Sequence, residues 1–162
     1  MAYYMNVGGM EELSETLDKL EERAPAVAAH ALYDGAGIMA DEIKSEVKNI
    51  QTEEFHYAVF PGVTTRLPSP EEKEIVEQAA AGIAKFRKTG SEVNTSVGFR
   101  NAGYATLKGR TVPIPKIVNA INSGTSFMKK QPFIRKAASS ATKRVTDAIV
   151  NTIEQKSKER IE

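Results

Sequence analysis

The chain has 162 residues, a net charge of +1, 41% hydrophobic and 27% charged side chains, which is the balance of one globular domain spanning 1–162 and not of a disordered tract. It holds no Cys and two histidines, His30 and His56, which excludes a disulfide scaffold, a thiolate nucleophile, a Cys-type zinc site and a His-rich metal centre. No apolar run approaches the ~18 residues of a membrane span, and MAYYMNVGGM lacks the basic and apolar regions of a signal peptide, so assembly in a reducing cytoplasm is expected.

Twenty alanines against 7% aromatics and no Trp favour helices packed closely through small side chains. Residues 1–9 carry no periodic pattern and are expected to be flexible. From residue 10 to 48 the pattern is helical. Met10, Leu13, Leu17, Leu20 and Ala24 form one apolar stripe, with Glu11, Glu12, Glu15, Asp18, Glu21 and Glu22 on the other faces. Pro25 interrupts and fits the first turn of a second helical stretch, through Ala28, Ala31, Leu32, Gly35, Ile38, Met39, Ile43 and Val47. A kinked collinear pair and a corner are both compatible with this pattern. Ala28, Ala31 and Gly35 would let another element come close, and His30 lies off the stripe.

The helical period is lost over 49–69. Residues 54–60 are a weak strand candidate, and Pro61-Gly62 and Leu67 to Pro70 signal turns. Glu53, Glu54 and His56 lie near one another, but no third ligand is evident and no metal site is expected. Ser69-Pro70-Glu71-Glu72 has the form of a capping box with Pro at the first helical position. The spacing predicts a helix over 70–81, ended by Gly82. Residues 83–99 read as a hairpin, with Lys88 to Ser91 as its turn. Residues 100–112 read as a loop. Its Lys108-Gly109-Arg110 lacks the glycine spacing and following helix of a phosphate-binding loop and reads as a basic loop. Ile117, Val118, Ala120 and Ile121 mark a short helix beginning near Pro115 or an edge strand, and the Ala and Asn content favours the helix. Residues 131–158 carry Ile134, Ala137, Ala138, Ala141, Val145, Ala148, Ile149 and Ile153, the narrow stripe of a long C-terminal helix. The expected fold class is α+β: a small antiparallel sheet covered by helices, with a long N-terminal helical region and a long C-terminal helix.

The near-neutral total hides a split. Residues 1–84 carry a net −10 and residues 85–162 a net +11. Three readings compete: the halves pair within one chain, the basic half meets nucleic-acid phosphates, or an acidic face of one subunit meets a basic face of the next, as in rings built head to tail. Neither histidine stands in a nucleophile context, there is no G-x-S-x-G elbow, and Asp41 and Glu42 point about 100° apart on a helix. Neither an enzyme nor a cofactor is expected.

The string SGTSFMKKQPFIRKA at 123–137 resembles the signature of the small head–tail joining, or tail-completion (minor tail), proteins of long-tailed, siphovirus-type phages and prophages. There, a short apolar segment leads to a Gly-Thr or Gly-Ser pair. A basic linker and Pro-Phe-hydrophobic-Arg then open the C-terminal helix. The matching residues are Ile117 to Ile121, Gly124, Thr125, Lys129, Lys130, Pro132, Phe133, Ile134 and Arg135. The opening helical region and the string IAKFRKTGSEVNTSVGF are similar to that family as well, and SPEEKE resembles versions from Gram-positive hosts. Residues 101–112 align with nothing in it.

The resemblance implies a structural virion protein that forms a homo-oligomeric ring of sixfold symmetry at the neck. That ring would touch the tail tube protein, the head connector protein and passing DNA, after a period in the host cytoplasm. Gly124 would supply a backbone geometry closed to other residues. Phe133 would anchor the long helix, and Arg135 would either pair within the fold or reach a neighbouring subunit. Lys85, Arg87, Lys88, Lys108 and Arg110 are candidate basic residues of a subunit interface or channel. Two alternatives remain open: a nucleic-acid-binding module using the basic half, and a transient tail-assembly factor that leaves before maturation.

Overall fold

The computed structural model describes residues 11–54, 65–85, 87–89 and 92–159, with side chains for all of these except 11–22, 88, 89 and 92. Helix α1, Glu11–Lys48, runs unbroken through Pro25, so the two predicted helical stretches are one helix and not a corner. Pro25 cannot donate to the carbonyl four residues back. In a helix this long the loss of one bond is outweighed by packing of the segment that follows.

That packing is against α4, Phe133–Lys158. The two run antiparallel: Thr152 donates to Asp34 at 2.6 Å, while Ser140 donates to Glu42 at 2.6 Å. Small residues make the seam close. A Cβ on Gly35 would stand 3.0 Å from the Ile149 side chain. Ala31, Ala36, Ala137 and Ala141 are buried.

Helix α2, Pro70–Ala79, begins as predicted. The Ser69 hydroxyl accepts from the Glu72 N–H at 3.2 Å, and the Glu72 carboxylate accepts from the Ser69 N–H at 2.8 Å. Its end was misplaced by the sequence reading. Ala80, at φ 52°, turns the chain, and Gly82 instead opens a strand. A non-glycine residue in that region costs roughly 1–2 kcal/mol, so the stop cannot be read from residue type.

The predicted hairpin over 83–99 exists in two pieces. Strand β1 (Gly82–Ile83) pairs with β4 (Val97–Gly98), and β2 (Arg87–Thr89) pairs with β3 (Glu92–Asn94). Ile83 faces Val97 but Arg87 faces Asn94, so the first arm carries one extra residue between the two ladders. This is a bulge, and it breaks the continuous alternation that the sequence suggested. The Ala84 N–H bonds to the Ser96 carbonyl at 2.8 Å, and the Thr95 hydroxyl donates to the Ala84 carbonyl at 2.7 Å.

The expected loop at 100–112 is largely a second hairpin. Strand β5, Tyr104–Leu107, pairs with β6, Arg110–Pro113, across Lys108-Gly109. Both turn residues have positive φ, 50° and 75°, as a two-residue turn of the primed type requires. The Lys-Gly pair read as a basic loop is this turn. Helix α3, Ile114–Ser123, follows directly, with Pro115 in its first turn and Ile114, Ile117, Val118 and Ile121 buried.

The fold is therefore α+β. The long N-terminal helix packs on the long C-terminal helix, with small two-stranded antiparallel ladders between them in the chain. The core gathers Ile43 and Val47 of α1, Ile50 just after it, Val76 of α2, Phe99, the four buried residues of α3, Met128, Phe133 and Ala137. The flexibility expected of 1–9 lies outside the described residues, as do most of the weak strand over 54–60, Gly90-Ser91 of the predicted turn, and His56. Among the described residues no helix is long and apolar enough to cross a membrane, and no three His, Asp or Glu side chains could hold a metal ion.

Candidate assembly surface

The segment linking α3 to α4 carries the sequence signature, and it is held by an unusual density of bonds. Gly124 ends α3 at φ 77°, its N–H bonded to the Ala120 carbonyl at 3.0 Å. The Thr125 hydroxyl accepts from the N–H groups of Phe127 (3.1 Å) and Met128 (3.0 Å), and the Thr125 N–H bonds to the Met128 carbonyl at 2.9 Å. Met128 is buried and plugs the loop into the core.

A second strand of chain braces the loop from outside. The Arg66 N–H donates to the Phe127 carbonyl at 2.8 Å, and the Lys129 N–H donates to the Arg66 carbonyl at 2.9 Å. Arg66 is itself fixed by Glu72, through two bonds of 2.7 and 2.8 Å. Glu72 is only 6% exposed. Burial pushes its carboxyl up, but the Arg66 guanidinium and the Ser69 N–H outweigh burial and hold it below 4.5. The same carboxylate thus caps α2 and anchors the brace. Further along, Gln51 and Gln131 exchange two bonds of 2.9 Å, tying the end of α1 to the linker.

Pro132 takes the N-cap position of α4, one place before the predicted first turn. Phe133 is 2% exposed and meets Phe99 edge-on, with ring centroids 6.3 Å apart, so it anchors the helix in the core. Ile134 packs on that core, and its N–H bonds to the Asn122 side chain at 3.1 Å. The rest of the signature faces outward: Thr125, Phe127, Lys129, Lys130 and Arg135 are exposed. Arg135 forms no salt bridge with any described residue and borders a shallow, open depression with Glu46, Pro132 and Lys136. Of its two predicted roles, pairing within the fold finds no partner there.

Few ion pairs among the described side chains bridge the charge split. Among the described residues, one of four ion pairs, Arg144 with Glu42, joins the basic half to the acidic half. Bonds from Ser140 and Arg144 hold the Glu42 carboxyl below its ordinary range. Lys129, Lys130, Lys136 and Lys143 are exposed and make no salt bridge to a described residue.

The second predicted basic set is divided between two hairpins. Lys85 and Arg87 belong to the bulged hairpin, which packs on α1. Lys108 and Arg110 sit at the turn of the other hairpin, against α2 and α3. The Lys88 side chain lies outside the described ones. Two important residues were missed from sequence. Phe127 stood unassigned inside the signature, although an aromatic among Ser, Thr and Lys was a visible anomaly. Arg66 reaches the signature only through tertiary pairing and left no local signal. No family model, curated protein or solved structure matches the chain.

Proposed function

We propose that the chain is a structural protein of the phage neck, which assembles as a ring at the tail end and joins the completed tail to the DNA-filled head. The resemblance of residues 123–137 to head–tail joining proteins motivates the reading. The observation that carries it is the construction of that segment: a tightly bonded loop whose exposed side chains include one aromatic and four cations without described ion-pair partners. The chain has a net −10 half and a net +11 half, and Lys129, Lys130, Arg135 and Lys136, which have no described ion-pair partner, can meet acidic surfaces of other molecules. Copies arranged head to tail would supply such a surface, with the tail tube and head connector proteins at the two ends of the ring.

The test is composition and place. Mass spectrometry of purified, joined particles should find the protein, and a gold-labelled antibody should mark the neck. Presence only in assembling lysates would replace this reading with that of a transient assembly factor. The exposed Lys129, Lys130, Arg135, Lys136 and Lys143 favour one further reading, a surface for duplex DNA. Binding at low salt that falls steeply as salt rises would support it.

A further inference from the structure

Phe127 is 75% exposed, although its backbone is tied on both sides, by Thr125 and by Arg66. An aromatic ring held out in water on an ordered loop has lost its chain freedom before any partner arrives, which is the condition of a binding anchor. Elsewhere on the molecule, a half-open hollow of about 240 Å³ lies between α1, α2 and Phe99. Val47, Val76, Ala80, Ala81 and Phe99 supply its apolar lining, and Lys44, Lys48, Glu77 and Gln78 line it as well. An apolar cavity of about 150 Å³ admits benzene, so this one has room for a phenyl ring.

Anchor and hollow belong to opposite ends of α2. The loop is bonded to Arg66, just before the helix, and the hollow is built on its last turn and the residues after it. The helix between them spans about 15 Å, and the exposure of Phe127 shows that it does not occupy its own hollow. Charge sets an orientation. Lys129 and Lys130 follow Phe127 beyond the buried Met128, and the exposed Glu71, Glu74 and Glu77 lead along α2 to the hollow. Lys44 and Lys48 line the α1 side, so the lysine pair is directed over α2 and away from α1.

We infer that Phe127 of one copy inserts into the hollow between α1, α2 and Phe99 of a second copy, with Lys129 and Lys130 over the carboxylates of α2. The two surfaces differ, so the contact is head to tail and propagates until it closes. The inference rests on the ring reading above and names the contact that would build it.

The test replaces Phe127 with photoreactive benzoylphenylalanine in particles made by complementing a phage that lacks the gene. Irradiation should give a product of twice the chain mass, with the crosslink in residues 44–48 or 76–81, or at Phe99, of the other copy. Crosslinks to any other segment, to another virion protein or to DNA overturn the inference while the ring reading stands. Absence of the chain from particles carrying the natural residue overturns the ring reading, and this inference with it. In parallel, Phe127→Ala should melt like the natural chain, because the side chain is exposed, while its incorporation into particles falls about tenfold or more. Unchanged incorporation overturns the inference.

Discussion

Replacing Gly124 by Ala tests the geometry at the centre of the signature. The residue sits at φ 77°, where a side chain costs roughly 1–2 kcal/mol. An added Cβ would also lie 2.9 Å from the Lys130 Cβ, 3.0 Å from the Lys130 nitrogen and 3.1 Å from the Met128 carbonyl. Two of these are backbone atoms that cannot swing aside. Relief means moving the loop and weakening the bond from Thr125 to the Met128 carbonyl, worth about 1 kcal/mol. Together the loss comes to about 3 kcal/mol. For a chain of this length that lowers the melting temperature by roughly 6–12 °C. Denaturant unfolding followed by circular dichroism reads it directly. Gly37→Ala is the control: it lies inside α1 with nothing within 4 Å of the added carbon, and it should gain about 0.5–1 kcal/mol. A loss below about 1 kcal/mol for Gly124→Ala would refute the argument from the loop's geometry.

Phe133→Ala should cost about 3–5 kcal/mol, since the ring is buried against Phe99; a cycle with Phe99→Ala should show coupling, and additive losses would mean that the edge-on contact is incidental. Arg135→Glu should change stability by no more than about 0.5 kcal/mol, as an exposed site without an ion pair to a described residue, while abolishing incorporation into particles; unfolding instead would place Arg135 in an internal pair. The lowered Glu72 and Glu42 carboxyls make stability pH-dependent. Groups depressed on folding stabilise fully above the ordinary value of 4.5, and that contribution is lost as pH falls through the lower folded-state values. Denaturant midpoints should therefore drop on the acid side, and Glu72→Gln should flatten part of that limb; an unchanged slope would show that the Arg66 brace does not stabilise the native state.

Local chemistry made much of the fold legible. The capping box at Ser69 and Glu72, the apolar spacing of α3 and the long stripe of α4 are each written in a short window, and each appears within a residue or two of its expected bounds. The choice left open at Pro25 and the missed break in the first hairpin depend on partners distant in sequence. Continuity through Pro25 comes with the packing of α1 on α4. The extra residue in the first hairpin shows only in the register of its partner strand. The second hairpin was a different kind of miss. Tyr104 to Leu107 alternates exposed and half-buried around a Lys-Gly turn, but basic composition drew the reading toward a loop.

The candidate surface divides the same way. Gly124 and Phe133 announced their structural roles by residue type, because one conformation favours glycine and one aromatic opened an apolar helix. Arg66 and Glu72 did not announce theirs. The carboxylate was legible as a cap, but its second use, fixing the strand that braces Phe127, exists only once the chain has folded. Exposure of Phe127 likewise follows from burial of its neighbour Met128, and no window of sequence distinguishes which of the two goes in.

The proposed head–tail joining role is tested most directly by a stop codon in this gene, with the particles of the lysate imaged by electron microscopy. The account predicts DNA-filled heads lying beside separate tails, and complementation by the natural chain should restore joined particles. Normal joined particles in the absence of the protein would contradict it.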